Sequence, residues 1–215
     1  VFPMPARTTV ITALKAALAN GVPHENTAAV LEIATPDDRR AVAQGVVDMH
    51  TKSRAVVPRD RFRIASTSKL FVAVVALQVA EEGKLELDEL AKKWLPDEVV
   101  ENLANADKVT VRQLLQMRSG VPEYLGDDFM AAVWEEPERT TPYTPTEALA
   151  YAYGKRAKFK PGANFMYCNS NYLLVRLVLE RVEKRPLHQL VRDRILNPLG
   201  LTNTYTQTHE SLPGG

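Results

Sequence analysis

Residues 67–82 (TSKLFVAVVALQVAEE) constrain the fold more than any other stretch of the chain. They are apolar nearly all round, and Leu70 to Ala80 is interrupted only by Gln78. A helix of that kind is predicted to be buried on all sides, not laid on a surface with one face in water. It is too short to cross a bilayer, which takes about 20 residues. Gly83 supplies its stop.

The segments before this helix read differently. Residues 8–20 predict a helix with Ile11, Leu14 and Leu18 on one face and Gly21 as terminator. Residues 28–35 (AAVLEIAT) and 40–48 (RAVAQGVVD) predict two strands joined by Pro36-Asp37-Asp38, with Gly45 as a candidate bulge. Arg61 to Ile64 reads as a third extended piece. Beyond the apolar helix the chain is predicted to be helical at 87–95, 110–117, 146–153, 170–183 and 187–196. Thr110 is a cap, Ser119-Gly120 a stop, and a long loop over 120–145 has one helical turn near Met130 to Trp134.

This order gives an α+β fold: an antiparallel sheet flanked by helices, plus an all-helical lobe. Residues 1–65 hold the first helix and strands, 66–205 form the helical lobe with the site, and 206–215 are a tail. A two-stranded hairpin is marginal alone. Its apolar positions Val30, Ile33, Val42 and Val46 need more cover than the 8–20 helix gives, so the sheet is expected to be incomplete in this chain.

The chemistry concentrates where Arg61 to Ile64 meets the apolar helix, at Ser66-Thr67-Ser68-Lys69. Three-residue spacing stacks Ser66 and Lys69 on one helix face. The serine then sits at a helix N-terminus, where backbone N–H groups favour developing negative charge. A lysine beside an apolar helix is expected to lose solvation, which favours the neutral amine and makes it a base for an otherwise weak nucleophile. Ser-x-x-Lys also arises by chance, and a serine before an apolar run also serves as a helix cap. A second element, Tyr167-Cys168-Asn169, lies about 100 residues downstream. Side chains two apart in an extended segment point the same way, so Tyr167 and Asn169 can share one cleft. There a phenol can relay protons and a carboxamide can hold both a lysine and a substrate carbonyl. A buried tyrosine and an asparagine capping the next helix is the plainer alternative.

Other residues fit bland roles. The histidines His24, His50, His188 and His209 match no zinc spacing, and no metal site is expected. Cys168 fits a small buried residue, Trp94 and Trp134 packing residues, and Glu123, Tyr124, Asp127 and Asp128 a solvated acidic loop. Arg39-Arg40 and Lys92-Lys93 fit solvated faces. Lys and Arg number 27 against 26 Asp and Glu, a net charge of +1, which gives no reason to expect nucleic acid as partner. A single cysteine excludes an intrachain disulfide.

The stretch RFRIASTSKLFVAVVALQVAEEGKLELDE resembles the nucleophile helix of the penicillin-recognising serine hydrolases, of the class C β-lactamase and secreted D-alanyl-D-alanine carboxypeptidase type. VTVRQLLQMRSGVPEY at 109–124, PGANFMYCNSNYLLVRLVLERV at 161–182 and RILNPLGLTNTY at 194–205 resemble that family's following segments in order. The resemblance implies a β-lactamase/transpeptidase-like fold and a carboxypeptidase-like activity. Ser66 would be acylated, with Lys69 as its base. Tyr167 would assist proton transfer to the leaving group, and Asn169 would bind the substrate amide. It implies no cofactor, a peptide or amide substrate with a D-residue, β-lactams as acylating ligands, and a secreted or periplasmic location after loss of a signal peptide. A β-lactamase, an esterase, a D-amino-acid amidase or aminopeptidase, and a catalytically silent binding module are the alternatives. The family's third motif, a Lys or His followed by Thr/Ser-Gly, does not occur. A C-terminal fragment of the same precursor, cut after Gly215, is the expected second chain, with a truncated sequence as the alternative. Leu125 departs from relatives that place a polar substrate contact there.

Overall fold

The computed structural model describes residues 7–21, 28–48, 54–136, 141–206 and 210. His24, His50, His209 and the end at Gly215 lie outside the described residues. The chain forms two compact units, Val1–Arg63 and Ile64–Gly215.

In the first unit, helix α1 (Arg7–Gly21) accompanies strands β1 (Ala29–Ala34) and β2 (Arg39–Gln44). The strands pair antiparallel, with Val30 opposite Ala43 and Ile33 opposite Arg40. Thr35 closes the turn, its N–H reaching the Asp38 carbonyl at 2.7 Å. Leu14 and Leu18 of α1 bury against Val42, with Val10, Ile11, Ala29 and Leu31 around them. The sheet has two strands among the described residues, and Ile33 remains exposed, so one small helix does not cover it. β2 stops before the expected Asp48 because Gly45 takes φ +100°; beyond it Val46 bridges Ala55. Arg40 is not on a solvated face: its side chain is 12% exposed and paired with Asp38. Arg61 to Ile64 forms no strand.

The second unit is built on α2 (Ser68–Glu81), entered through a 3-10 turn at Ala65–Thr67. Val75, Ala76 and Val79 are completely buried. They share a core with Leu174, Val175, Val178 and Leu179 of α7 (Ser170–Glu183). Burying side chains of this size contributes roughly 1.5–3 kcal/mol each. The expectation of burial on all sides is corrected: Leu70, Val74 and Leu77, a stripe at helical spacing, are 65%, 43% and 53% exposed. The buried stripe faces α7, and no described element of this unit covers the opposite one.

Helices α3 (Asp97–Asn102), α4 (Val111–Leu115), α5 (Asp127–Glu135) and α6 (Pro145–Ala150) complete the lobe. It closes with α8 (Leu187–Val191), which runs on into a π turn at Arg192–Leu196. Thr110 and Thr144 each begin a helix through a reciprocal capping box, with Gln113 and Glu147 respectively. The helix expected at 87–95 shrinks to a 3-10 turn at Ala91–Lys93. Its backbone is engaged elsewhere: Ala91 N–H donates to Val109 O, and Leu87 O accepts from Arg112 N–H. The single turn expected near Met130 is a nine-residue helix. Its Phe129 ring meets Tyr124, Tyr143 and Tyr151 edge-on at 5.1, 5.1 and 5.2 Å, an arrangement aromatic rings favour. Trp134 is 76% exposed and is not a packing residue, whereas Trp94 packs against the core. Arg194 ties the end of α2 to the end of α7 through Glu82 and Glu183. No helix among the described residues is long and apolar enough to cross a membrane.

Candidate active site

Ala65 takes φ +44° immediately before Ser66, a conformation that costs a residue with a Cβ about 1–2 kcal/mol. The bonds of this 3-10 turn run from Thr67 N–H to Ile64 O and from Ser68 N–H to Ala65 O, leaving the Ser66 N–H unengaged by the turn. The N-caps of the turn and of α2 are Ile64 and Thr67, not the serine. It meets the lysine one turn further on: Lys69 Nζ donates to Ser66 Oγ at 3.1 Å.

The distant Tyr-Cys-Asn element arrives at the same point. Tyr167 Oη donates to Ser66 Oγ at 2.8 Å, and Lys69 Nζ donates to Asn169 Oδ1 at 2.9 Å. The four side chains read from the sequence thus converge. Tyr167 is exposed and Asn169 half-buried, while Cys168 between them is 1% exposed and donates its thiol to Val121 O at 3.5 Å. Burial raises that thiol's pKa, as expected of a packing residue. Asn169 precedes α7 but makes no side-chain cap bond, because its carboxamide is taken by Lys69 and by Glu123.

Glu123 was expected in a solvated acidic loop, and the structure corrects this. Its Oε2 accepts from Asn169 N–H at 2.7 Å and from Asn169 Nδ2 at 3.1 Å, and its Oε1 accepts from Leu125 N–H at 2.9 Å. Tyr124 is also drawn inward: its ring joins the Phe129 cluster and its N–H donates to Ser170 Oγ at 3.0 Å. Asp127 and Asp128 are exposed in the first turn of α5. What could have singled out Glu123 is its place three residues after the Ser-Gly turn. Gly120, at φ +68°, lets the chain pass Phe159 so closely that a Cβ would stand 2.1 Å from its carbonyl oxygen. Asn105 Nδ2 fixes that crossing by donating to Ser119 O and Phe159 O at 2.9 and 2.8 Å. Ser170 Oγ donates to Pro122 O at 2.7 Å, which lays residues 121–124 alongside 168–170.

Charge is arranged around the serine oxygen. The Lys69 side chain, then the Ser66 hydroxyl, hold the Tyr167 phenol below its ordinary value of 10.0. Neighbouring Tyr124 and Tyr172 are pushed up, chiefly by burial. Ser66 Oγ therefore stands between an amine and an acidified phenol. Either can exchange a proton with it, and a carboxamide steadies the amine. Such a grouping suits nucleophilic acyl transfer.

Comparison with known proteins agrees with this geometry. The Beta-lactamase family matches residues 14–213. Protein flp of Staphylococcus aureus (strain MW2) is 30% identical over 166 residues, covering 77% of this chain and 32% of that protein. Penicillin-binding protein 4* of Bacillus subtilis (strain 168) is 27% identical over 154 residues, covering 72% of this chain and 32% of that protein. This chain spans about a third of the length of these curated relatives. Among solved structures, the D-stereospecific amidohydrolase of a Streptomyces species is 35% identical with a TM-score of 0.76, covering 94% of this chain and 56% of that one. The chain belongs to the beta-lactamase family, a family of serine hydrolases.

Proposed function

We propose that Ser66 carries an acyl-enzyme intermediate in the hydrolysis of a peptide or amide bond next to a D-configured residue, in the manner of a D-alanyl-D-alanine carboxypeptidase. The observation that carries this reading is the double contact on Ser66 Oγ, from Lys69 Nζ at 3.1 Å and Tyr167 Oη at 2.8 Å. In the reactive state Lys69 is neutral. Its amine keeps one N–H on Asn169 and accepts the Ser66 proton as Oγ bonds to the carbonyl carbon. The Ser66 N–H, unengaged by its turn, faces the developing oxyanion. Tyr167 passes a proton to the leaving nitrogen as the C–N bond breaks and regains one from Lys69; water then attacks the ester carbonyl, gives a proton to Lys69, and that proton returns to Ser66 Oγ as the C–Oγ bond breaks. β-Lactams would acylate the same serine, a reading supported by the penicillin-binding relative.

A second reading, hydrolysis of simple D-amino-acid amides, is favoured by the 35% identity to a D-stereospecific amidohydrolase. The two differ in the leaving amine, D-alanine against ammonia, and in the acyl group, a peptidyl D-residue against a D-amino acid with a free amine. Full-length protein should be labelled by fluorescent penicillin at Ser66, and Ser66→Ala should abolish labelling. Release of D-alanine from a D-Ala-D-Ala peptide against ammonia from D-amino-acid amides separates the two readings. A wild type inert to β-lactams, activated esters and both substrates would leave only a binding module.

A further inference from the structure

Glu123 takes no part in the proton transfers described above, yet it touches the residue that steadies the base. An asparagine amide is nearly symmetric in shape, so its neighbours decide which end points where. Lys69 alone does not decide it. A charged ammonium is a donor and requires Oδ1, but the neutral amine formed in each cycle also has a lone pair that Nδ2 could satisfy. A carboxylate only accepts, so Glu123 requires Nδ2 whatever the state of Lys69. Its own freedom is gone as well. Oε2 is held by the backbone and side-chain N–H groups of Asn169, and Oε1 by Leu125 N–H.

We propose that Glu123 is a positioning residue for acyl transfer: by accepting both N–H groups of Asn169 it locks the Asn169 oxygen onto Lys69 and keeps the amine aimed at Ser66. The proposal rests on the reading of Ser66 as nucleophile and Lys69 as base. Without the carboxylate, the amide turns over each time Lys69 becomes neutral. Nδ2 then donates to the amine lone pair, the same lone pair that must receive the Ser66 proton. Substrate would still bind, but acylation would slow. Glu123 also adds one negative charge near Tyr167, opposing the effect of Lys69 on the phenol.

The test uses full-length protein carrying Glu123→Gln, Asn169→Ala and the pair together. Glutamine keeps the shape but has one accepting oxygen where the carboxylate uses two: whichever way it turns, its NH2 opposes either the two Asn169 N–H groups or Leu125 N–H, so the grip on the amide loosens. Glu123→Gln should melt near the wild type and bind penicillin with unchanged non-covalent affinity, while the acylation rate falls roughly 10- to 100-fold. In the Asn169→Ala background the same change should cost less than about threefold, because no amide remains to be oriented. The groups facing the Tyr167 hydroxyl and ring are Ser66, Lys69, Tyr124, Tyr172 and Glu123. Losing the one carboxylate should move the alkaline limb of the pH–rate profile to lower pH. Undiminished acylation, or losses that simply add in the double variant, would overturn the proposal. Should the glutamine variant melt early, Glu123→Asp serves instead. It is one methylene shorter and can hold only one of the two Asn169 N–H groups, so an intermediate rate is expected. A second readout needs no chemistry. The Asn169 side-chain NH2, assigned by NMR from its loss in Asn169→Ala, should exchange slowly in the wild type and fast in Glu123→Gln. Equal exchange refutes the role of Glu123, whereas a wild type that no reagent acylates refutes the nucleophile reading and leaves this measurement to decide on Glu123.

Discussion

Gly120→Ala should destabilise the protein by about 4 kcal/mol, and the structure gives the contributions. At φ +68° the residue lies in the left-handed region, which costs an alanine about 1–2 kcal/mol. The added Cβ would also stand 2.1 Å from Phe159 O and 2.9 Å from its carbonyl carbon. Both atoms are backbone, so the clash cannot be relieved by turning a side chain. The 158–160 segment must retreat, and two hydrogen bonds that define the crossing go with it. They run from Lys158 N–H to Gly120 O and from Asn105 Nδ2 to Phe159 O, each 2.8 Å, and each contributes about 1 kcal/mol net. Gly83→Ala is the control. Gly83 has φ +71° but nothing within 4 Å of the added atom, so only the conformational cost of about 1 kcal/mol applies, partly offset by the stiffer unfolded chain. Urea unfolding of the two variants, compared at constant slope, reads the difference directly. If Gly120→Ala falls within about 1 kcal/mol of Gly83→Ala, the close crossing is not what holds this turn and the reasoning is wrong.

Tyr167→Phe removes the phenol from Ser66 and should slow acylation roughly 100- to 1,000-fold. Ultraviolet titration should show the early-ionising phase assigned to Tyr167 in the wild type disappear in that variant; an unchanged titration curve contradicts the assignment. Glu82 is held at about 2, chiefly by Arg194 and then by Lys84. Its folded value is depressed, so its stabilising effect is present above its ordinary value of 4.5 and is lost as pH falls toward 2. The melting difference between wild type and Glu82→Gln should therefore shrink over that window, and a constant difference would refute the pairing. Ala65→Gly should relieve up to about 1 kcal/mol of backbone strain before the looser unfolded chain is counted. It should also slow acylation, because the turn presenting Ser66 is less fixed. A variant that is equally fast and destabilised by the full unfolded-chain cost of about 1 kcal/mol would show that the turn is not strained.

The quartet was legible through the resemblance: Ser-x-x-Lys and Tyr-x-Asn are each weak signals by themselves, and the order of the matching segments along the chain singled them out. The cap at Thr110 and the span of α7 were legible from local spacing alone. What escaped depends on partners far along the chain. Glu123 looks like any loop acid until Gly120 and Ser170 bring residues 121–124 beside Asn169. The 87–95 segment has helical composition, but residues 109–112 claim its backbone groups. Trp134 reads as a core residue by size, yet α5 turns it to water and sets Phe129 into the tyrosine cluster instead. The stripe of Leu70, Val74 and Leu77 shows the opposite limit: composition states a wish to be covered without naming the cover.

Cys168 gives the site a floor. Its neighbours on either side reach toward water, and the sulfur between them is anchored below, beyond the reach of dissolved alkylating reagents. The separation of phenol from carboxamide is consequently set from underneath, by how far one small side chain can sink. A bulkier residue there would spread the two sentinels apart without touching either, and reactivity would be lost through a position that never meets substrate.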